Sequence, residues 1–346
     1  MRNNDEGCTA KHLNLLTFYG LHIIILQKDG VNMTRLYLAV PCYNEEEVLP
    51  DSAEKLYKKY QQLMDDGLIT SDSRICFIDD GSKDKTWSII KELCEKDDVF
   101  SGIKLSRNRG HQNALLCGLM TLKDYADAVV SIDADLQDDI NAIDKMVIEY
   151  QKGADVVYGV RSKRTTDTFF KRFTAEGYYK ILEKMGAKII FNHADFRLMS
   201  KRALEAFAEF KEVNVFLRGI VPMVGFKSEI VTYERSERLA GESKYPLKKM
   251  LALAWEGITS LSIKPIRMIL GLGFISLFIS FAILIYALVS LICGAAVPGW
   301  TSLMVSIWAL GGFQLLAMGV LGEYIGKIYL ESKRRPRYIV EEFINR

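Results

Sequence analysis

From Met268 to Gly322 the chain runs 55 residues without one Asp, Glu, Lys, Arg or His. An apolar stretch of about 20 residues, rising roughly 1.5 Å per residue, spans the ~30 Å hydrocarbon core of a bilayer. The run holds two such stretches, Met268–Ile292 and Leu303–Gly322. Between them CGAAVPGWTS is short, with Pro298 and Gly299 as turn formers and Trp300 suited to an interface. The pattern predicts a helical hairpin that crosses a membrane twice. A pair of soluble core helices is the alternative, and charge-free runs of this length are rare in soluble cores.

The flanks predict orientation. Lys264 and Arg267 precede the first span; Lys327, Lys333, Arg334, Arg335 and Arg337 follow the second; the connecting loop is uncharged. The positive-inside rule then puts both long ends of the chain in the cytoplasm, with 327–346 as a basic tail. Neither span contains an Asp, Glu, Lys, Arg or His, which disfavours a transporter. The hairpin reads as an anchor, and such an anchor can also pack into a homo-oligomer. Upstream, Leu247, Met250, Leu251, Ala254, Ile258 and Leu261 share about 100° of helix arc, with Lys248, Lys249 and Glu256 off it. That suits a helix lying among lipid headgroups, or one packed on the globular part, and one helix can do both.

All 88 formal charges lie in the other 291 residues, 45 basic against 43 acidic. A net charge of +2 gives no reason to expect nucleic-acid binding. Residues 13–26 are apolar but too short and interrupted for a span, and they lack a signal-peptide cleavage site. Met33 precedes the first clean strand, so 1–32 are expected to be a non-native N-terminal extension. Six cysteines (Cys8, Cys42, Cys76, Cys94, Cys117, Cys293) form no CxxC pair and read as small buried hydrophobes in a reducing compartment.

Over 33–233 apolar runs alternate with helical patterns. Strands are predicted at 36–40, 74–78, 102–105, 128–132 and 155–158. Helices are predicted at 46–65, 85–96, 112–123, 140–152 and 169–185. The alternation implies βαβ units and a mostly parallel α/β sheet, whose ligands bind beyond the carboxyl ends of the strands. The polar clusters lie there: PCYNEE after the first strand, DDGSKDKT after the second, SRNRGH after the third, DADLQD after the fourth and GVR after the fifth. Each cluster alone could be a helix cap; several on one sheet edge point to a site. In Asp133-Ala134-Asp135 the carboxylates are two apart, so on extended backbone both face one side. Mg2+ and Mn2+ take oxygen ligands and are commonly held by one or two carboxylates plus substrate phosphates, which points to a diphosphate ligand. DDGSKDKT lacks P-loop spacing.

VPCYNEEE, IDDGSKDKT, RNRGHQNA, DADLQD, DFRLMS and GESKYPLKKML, followed by two spans, resemble the family 2 glycosyltransferases that load a sugar onto a polyprenyl phosphate. Bacterial bactoprenol glucosyltransferases are the nearer pattern and dolichyl-phosphate mannose synthase the more distant. The resemblance covers about Leu36 to Arg337 and implies a GT-A (Rossmann-like) domain at 33–233. An acceptor loop and interfacial helix follow at 234–265, then the hairpin at 266–326. It implies that Pro41, Tyr43, Glu45, Asp80 and Asp133 line the nucleotide, and that Asp135 and Gln137 hold Mg2+ or Mn2+. Arg161 and Arg164 would grip phosphates, Asp195 and Arg197 would sit at the reaction centre, and Arg238, Ser243 and Lys244 would receive the lipid phosphate. No QxxRW occurs, which implies one sugar per cycle. The implied reaction is inverting transfer of glucose from UDP-glucose to undecaprenyl phosphate at the bacterial plasma membrane. UDP-N-acetylglucosamine or GDP-mannose as donor, or a non-catalytic nucleotide-sugar-binding scaffold, are the alternatives.

Overall fold

The structure is a computed structural model that describes residues 33–162, 193–213, 216–234, 258–259, 262–293 and 299–346. Its first half follows the alternation of the sequence: β1 (Leu36–Cys42), α1 (Leu49–Asp65), β2 (Arg74–Asp79), α2 (Thr86–Lys96), β3 (Phe100–Leu105), α3 (His111–Leu122), β4 (Ala128–Ser131), α4 (Ala142–Gln151) and β5 (Val156–Arg161). Then come β6 (His193–Ser200), α5 (Lys201–Ala208), α6 (Leu217–Ile220), a 3-10 turn at Val221–Val224 and β7 (Ser228–Tyr233). Two long helices, α7 (Lys264–Ile292) and α8 (Trp300–Ser332), and β8 (Val340–Ile344) complete the chain. The five predicted strands and the first four predicted helices each appear within three residues of their expected ends. The predicted helix 169–185 lies outside the described residues, as does most of the amphipathic stripe 247–261.

The eight strands form one sheet in the order β7-β5-β6-β4-β1-β2-β3-β8. Pairings among β1, β2, β3 and β4, and that of β5 with β7, are parallel; β6 runs antiparallel to β4 and β5, and β8 to β3. Side chains alternate cleanly across it. Leu36, Leu38 and Val40 enter one core with Leu56, Tyr60 and Leu63 of α1, whereas Tyr37 and Ala39 enter the other with Leu115, Leu119 and Leu122 of α3. Helices therefore cover both faces, which is why the central strands read as nearly continuous apolar runs. Cys42, Cys76, Cys94 and Cys117 are buried and free, as expected; Cys293, at the end of α7, is free but exposed, contrary to that reading, and Cys8 lies outside the described residues. Burial pushes the Cys76 and Cys117 thiols up to about 12, so they are inert packing groups at neutral pH.

The chain leaves β1 toward β2 and β3 on one side, then crosses to β4 on the other. Beyond the carboxyl ends of β1 and β4 lies the crevice where doubly wound sheets bind ligands. The register shows the opening: β4 pairs with β1 only as far as Ser131 opposite Ala39, with one more bond from Ile132 N–H to the Ala39 carbonyl. Pro41, just past this parting, has no N–H to contribute, and on that side none is needed.

α7 and α8 are long and apolar enough to cross a membrane, and neither apolar stretch is buried in the chain. Phe274, Phe278, Leu315 and Met318 point outward, which is not how core helices pack. α8 continues past the charge-free run through Glu323, Lys327 and Glu331 to Ser332. Here the Tyr324 hydroxyl donates to the Ser262 carbonyl at 2.5 Å and Lys327 Nζ to Thr259 Oγ1 at 2.6 Å. Both Glu331 carboxylate oxygens accept from the Val213 N–H, at 2.7 and 2.9 Å. The segment read from sequence as a basic tail is thus tied to the sheet. Arg337 Nη1 donates to the carbonyls of Phe210 and Glu212, β8 pairs with β3, and Lys104 and Lys91 pair with Glu341 and Glu342.

Candidate active site

The loop after β1 and the loop after β2 are stitched together before either meets a ligand. Asn44, in the left-handed region at φ 53°, accepts from the Lys83 N–H at 2.9 Å, while its own N–H donates to Ser82 Oγ. The Glu45 N–H donates to Thr86 Oγ1 at 2.9 Å, and Glu46 exchanges bonds with Asp84 and the Lys85 N–H. Asn tolerates this backbone because its short polar side chain bonds locally. Tyr43 stands exposed on the rim, and Pro41 is buried below it.

Asp80 organises the next loop. Its carboxylate accepts from the Arg109 N–H at 2.7 Å and the Gly110 N–H at 2.8 Å. Burial raises its carboxyl and these two bonds oppose the rise. Expected to line the nucleotide, Asp80 is nine-tenths or more buried and engaged by backbone. Gly81, at φ 66°, lies so close to the same loop that a Cβ would come within 2.5–2.7 Å of the backbone of Arg107 and Asn108. Only glycine fits there.

The DADLQD segment turns sharply at the end of β4. Leu136 adopts φ 45°, unusual for a leucine, with its side chain packed on the core and its N–H on the Asp133 carbonyl. Ser52 of α1 holds the turn from below, donating to the Ala134 carbonyl at 2.6 Å. Such strain persists only where neighbours over-determine it, and it aims side chains. Gln137 donates through Nε2 to Asp135 Oδ2 at 2.6 Å, and its N–H reaches Asp135 Oδ1. The expected metal pair is therefore in mutual contact, with the glutamine steering the carboxylate.

Glu45, Asp133 and Asp135 share one electrostatic neighbourhood. Burial raises the Glu45 carboxyl, and Asp135, Asp84 and Asp133 raise it further. Burial likewise raises Asp133; His111 opposes this, while Asp195, Asp138 and Asp135 add to it. Like charges held together in this way favour a cation. Among the described residues no three acidic, imidazole or thiol groups converge into a complete metal cage. This donor set fits a hard divalent ion held by one or two carboxylates that takes its remaining oxygens from a phosphate-bearing substrate.

Across the cleft, Asp195 of β6 is the hub. Arg197 Nη2 reaches its Oδ1 at 2.5 Å; Arg218 of α6 bonds both oxygens, Nε at 3.3 Å and Nη2 at 3.0 Å; Gln112 Nε2 lies 3.4 Å from Oδ2. Burial alone would raise this carboxyl, but Arg197 and Arg218, helped by His111, hold it well below the usual carboxylate range. Arg197 is fully buried, donating also to the Leu217 carbonyl. Closed off from the cleft, its guanidinium fixes the Asp195 carboxylate rather than facing a ligand. Arg161 is paired through Nε and Nη2 with the buried Asp138. Arg164, Arg238, Ser243 and Lys244 lie outside the described residues.

Three residues of this cluster, Arg218, His111 and Gln112, carry no role in the sequence reading. Arg218 lies in a four-residue helix without a motif. His111, quoted within RNRGHQNA, was given no role; its Nε2 lies 3.5 Å from Asp133 Oδ1 and 3.9 Å from Asp195 Oδ2. Its position at the start of α3, in the loop-to-helix junction that follows β3, is the available signal.

Residues 37–207 match the family described as Glycosyl transferase family 2. The chain is 52% identical over 306 residues to an uncharacterized glycosyltransferase, YkoT, of Bacillus subtilis (strain 168), covering 88% of this chain and 91% of that one. It is 43% identical over 311 residues to the bactoprenol glucosyl transferase of Shigella phage SfV, covering 89% of this chain and 98% of that one. Among solved structures, the glucosyl-3-phosphoglycerate synthase of Mycobacterium tuberculosis, in complex with Mn2+, UDP-glucose and phosphoglyceric acid, superposes with a TM-score of 0.43 at 17% identity. That match covers 72% of this chain and 84% of the synthase.

Proposed function

Since the chain belongs to glycosyl transferase family 2, we propose that it moves one glucose from UDP-glucose to undecaprenyl phosphate at the cytoplasmic face of a bacterial plasma membrane. That it is a glycosyltransferase with a GT-A fold is the premise. The observation that carries the acceptor class is the 43% identity to a bactoprenol glucosyl transferase over nearly that protein's whole length. Two unburied apolar helices joined to the sheet are what an enzyme with a bilayer-bound acceptor requires.

The chemistry follows from the acceptor. A phosphate monoester has a second pKa near 6, so it is largely dianionic at neutral pH and needs no strong general base. An acceptor oxygen bonds to the anomeric carbon as the bond from that carbon to the diphosphate breaks, and the electron pair leaves with UDP. In-line attack inverts the anomeric centre, so an α-linked donor gives a β-linked product. Asp195, ionised and clasped by two arginines, is unsuited to accept a proton and instead holds Arg218 in position. Asp135, steered by Gln137, would hold Mg2+ or Mn2+, which when bound neutralises charge developing on the leaving diphosphate. Tyr43, Glu45 and Asp133 would face the nucleotide.

Purified protein with undecaprenyl phosphate, a divalent cation and labelled UDP-glucose, UDP-N-acetylglucosamine or GDP-mannose tests this directly. A labelled lipid from UDP-glucose is the expected product. Another donor alone would correct the sugar, and nucleotide binding without product would favour the scaffold. Asp135→Ala should abolish metal-dependent turnover; near-normal turnover would overturn the metal assignment.

A further inference from the structure

His111 lies between the two halves of the cleft. One ring nitrogen, Nε2, is within 3.5 Å of Asp133, on the side of the DADLQD acids, and within 3.9 Å of Asp195, on the side of the arginines. The two carboxylates are therefore no farther apart than these contacts together reach, and the imidazole occupies the gap. The two sides differ in charge. Asp195 already has two guanidiniums on it, whereas Asp133 stands among Asp135, Asp138 and Glu45. Neither distance is a close hydrogen bond, so Nε2 is near both acids and committed to neither. The side chain is 44% exposed, so the ring is not enclosed by the protein.

Resting on the transfer reaction above, we infer that His111 is a catalytic residue whose Nε2–H meets a phosphate oxygen in this gap. The ligand chemistry is a phosphate group, supplied either by the diphosphate of the donor or by the monoester of the acceptor. In both cases the ring donates a hydrogen bond without giving up its proton. The bond made and the bond broken at the anomeric carbon are unchanged, and the electron pair still leaves with the nucleoside diphosphate. A fixed donor aimed at developing or converging negative charge in a recessed site is a large catalytic term. A histidine whose task was only to pack would not leave its polar edge in the cleft between two acids.

The test uses full-length protein in detergent with His111→Phe, which keeps the ring and removes the N–H, and His111→Gln, which returns an amide N–H. Turnover of labelled UDP-glucose onto undecaprenyl phosphate should fall about 100-fold in His111→Phe and recover at least tenfold in His111→Gln. UDP titration by calorimetry separates the sources. Weaker UDP binding in His111→Phe assigns the contact to the donor diphosphate. Unchanged UDP binding with lower kcat and raised KM for the lipid assigns it to the acceptor. Turnover within threefold of wild type in His111→Phe overturns the inference, and so does equal impairment of both variants with unchanged melting temperature. If His111→Phe fails to fold, His111→Leu, which also lacks an N–H, replaces it, and near-wild-type turnover there has the same overturning force. Wild-type protein that forms no glycolipid from any donor refutes the reaction itself, which is a separate outcome.

Discussion

Asp195 shows how one buried charge can be fixed without being made reactive. Its partner Arg197 has no access to water, so removing the carboxylate leaves a guanidinium buried without its counter-ion. Asp195→Asn should lower stability by about 3–5 kcal/mol, measured by denaturant unfolding in detergent. The pH dependence has a definite sign. An unfolded aspartate titrates near 3.9, and the folded value lies well below it. The ionised group therefore stabilises the fold above that range and loses its effect only as pH falls through the folded value. The wild-type advantage should be equal at pH 7.5 and 5.5; an advantage that fades over that interval would contradict the pairing. Asp195 and Arg197 were legible because they sit together in DFR. Arg218, 23 residues beyond Asp195, was not, because spacing along a chain does not encode which loops fold onto one carboxylate.

At the scale of elements, the cleft depends on loops that hold one another. The contact of Gly81 with the backbone of 107–108 is where the loop after β2 supports the loop after β3. Gly81→Ala brings both a disfavoured φ and a backbone clash, so stability should drop by about 1–3 kcal/mol. UDP affinity, read by calorimetry, should weaken with it, because Asp80 anchors the 109–110 backbone from the same turn. Wild-type affinity in a destabilised Gly81→Ala protein would separate the turn from the site. The β1–β5 core was readable because its apolar runs and amphipathic helices obey their periods. β6 was visible only as a chemical motif, and β8 was concealed by the basic run before it. VEEFI carries two acids, which edge strands tolerate and which here pair with Lys91 and Lys104.

For the whole molecule, the decisive feature is that the last turns of α8 bond to the globular part. A 33-residue helix is about 50 Å long, some 20 Å more than a hydrocarbon core, and the surplus carries the groups that bind Val213 and Thr259. Glu331→Ala should loosen that joint: turnover on undecaprenyl phosphate in vesicles should fall several-fold while UDP affinity stays at the wild-type value. Equal losses in both would instead mark a general folding defect. Deleting 333–346 should be harsher, because it bares the outer edge of β3 and withdraws Tyr338 and Phe343 from the core; size-exclusion chromatography should show aggregates. The two long helices and the sheet are consequently not separable modules in this chain. A soluble form made by stopping before Lys264 lacks the strand that finishes its sheet, so a working soluble enzyme needs residues 338–346 spliced back through a linker where the hairpin stood.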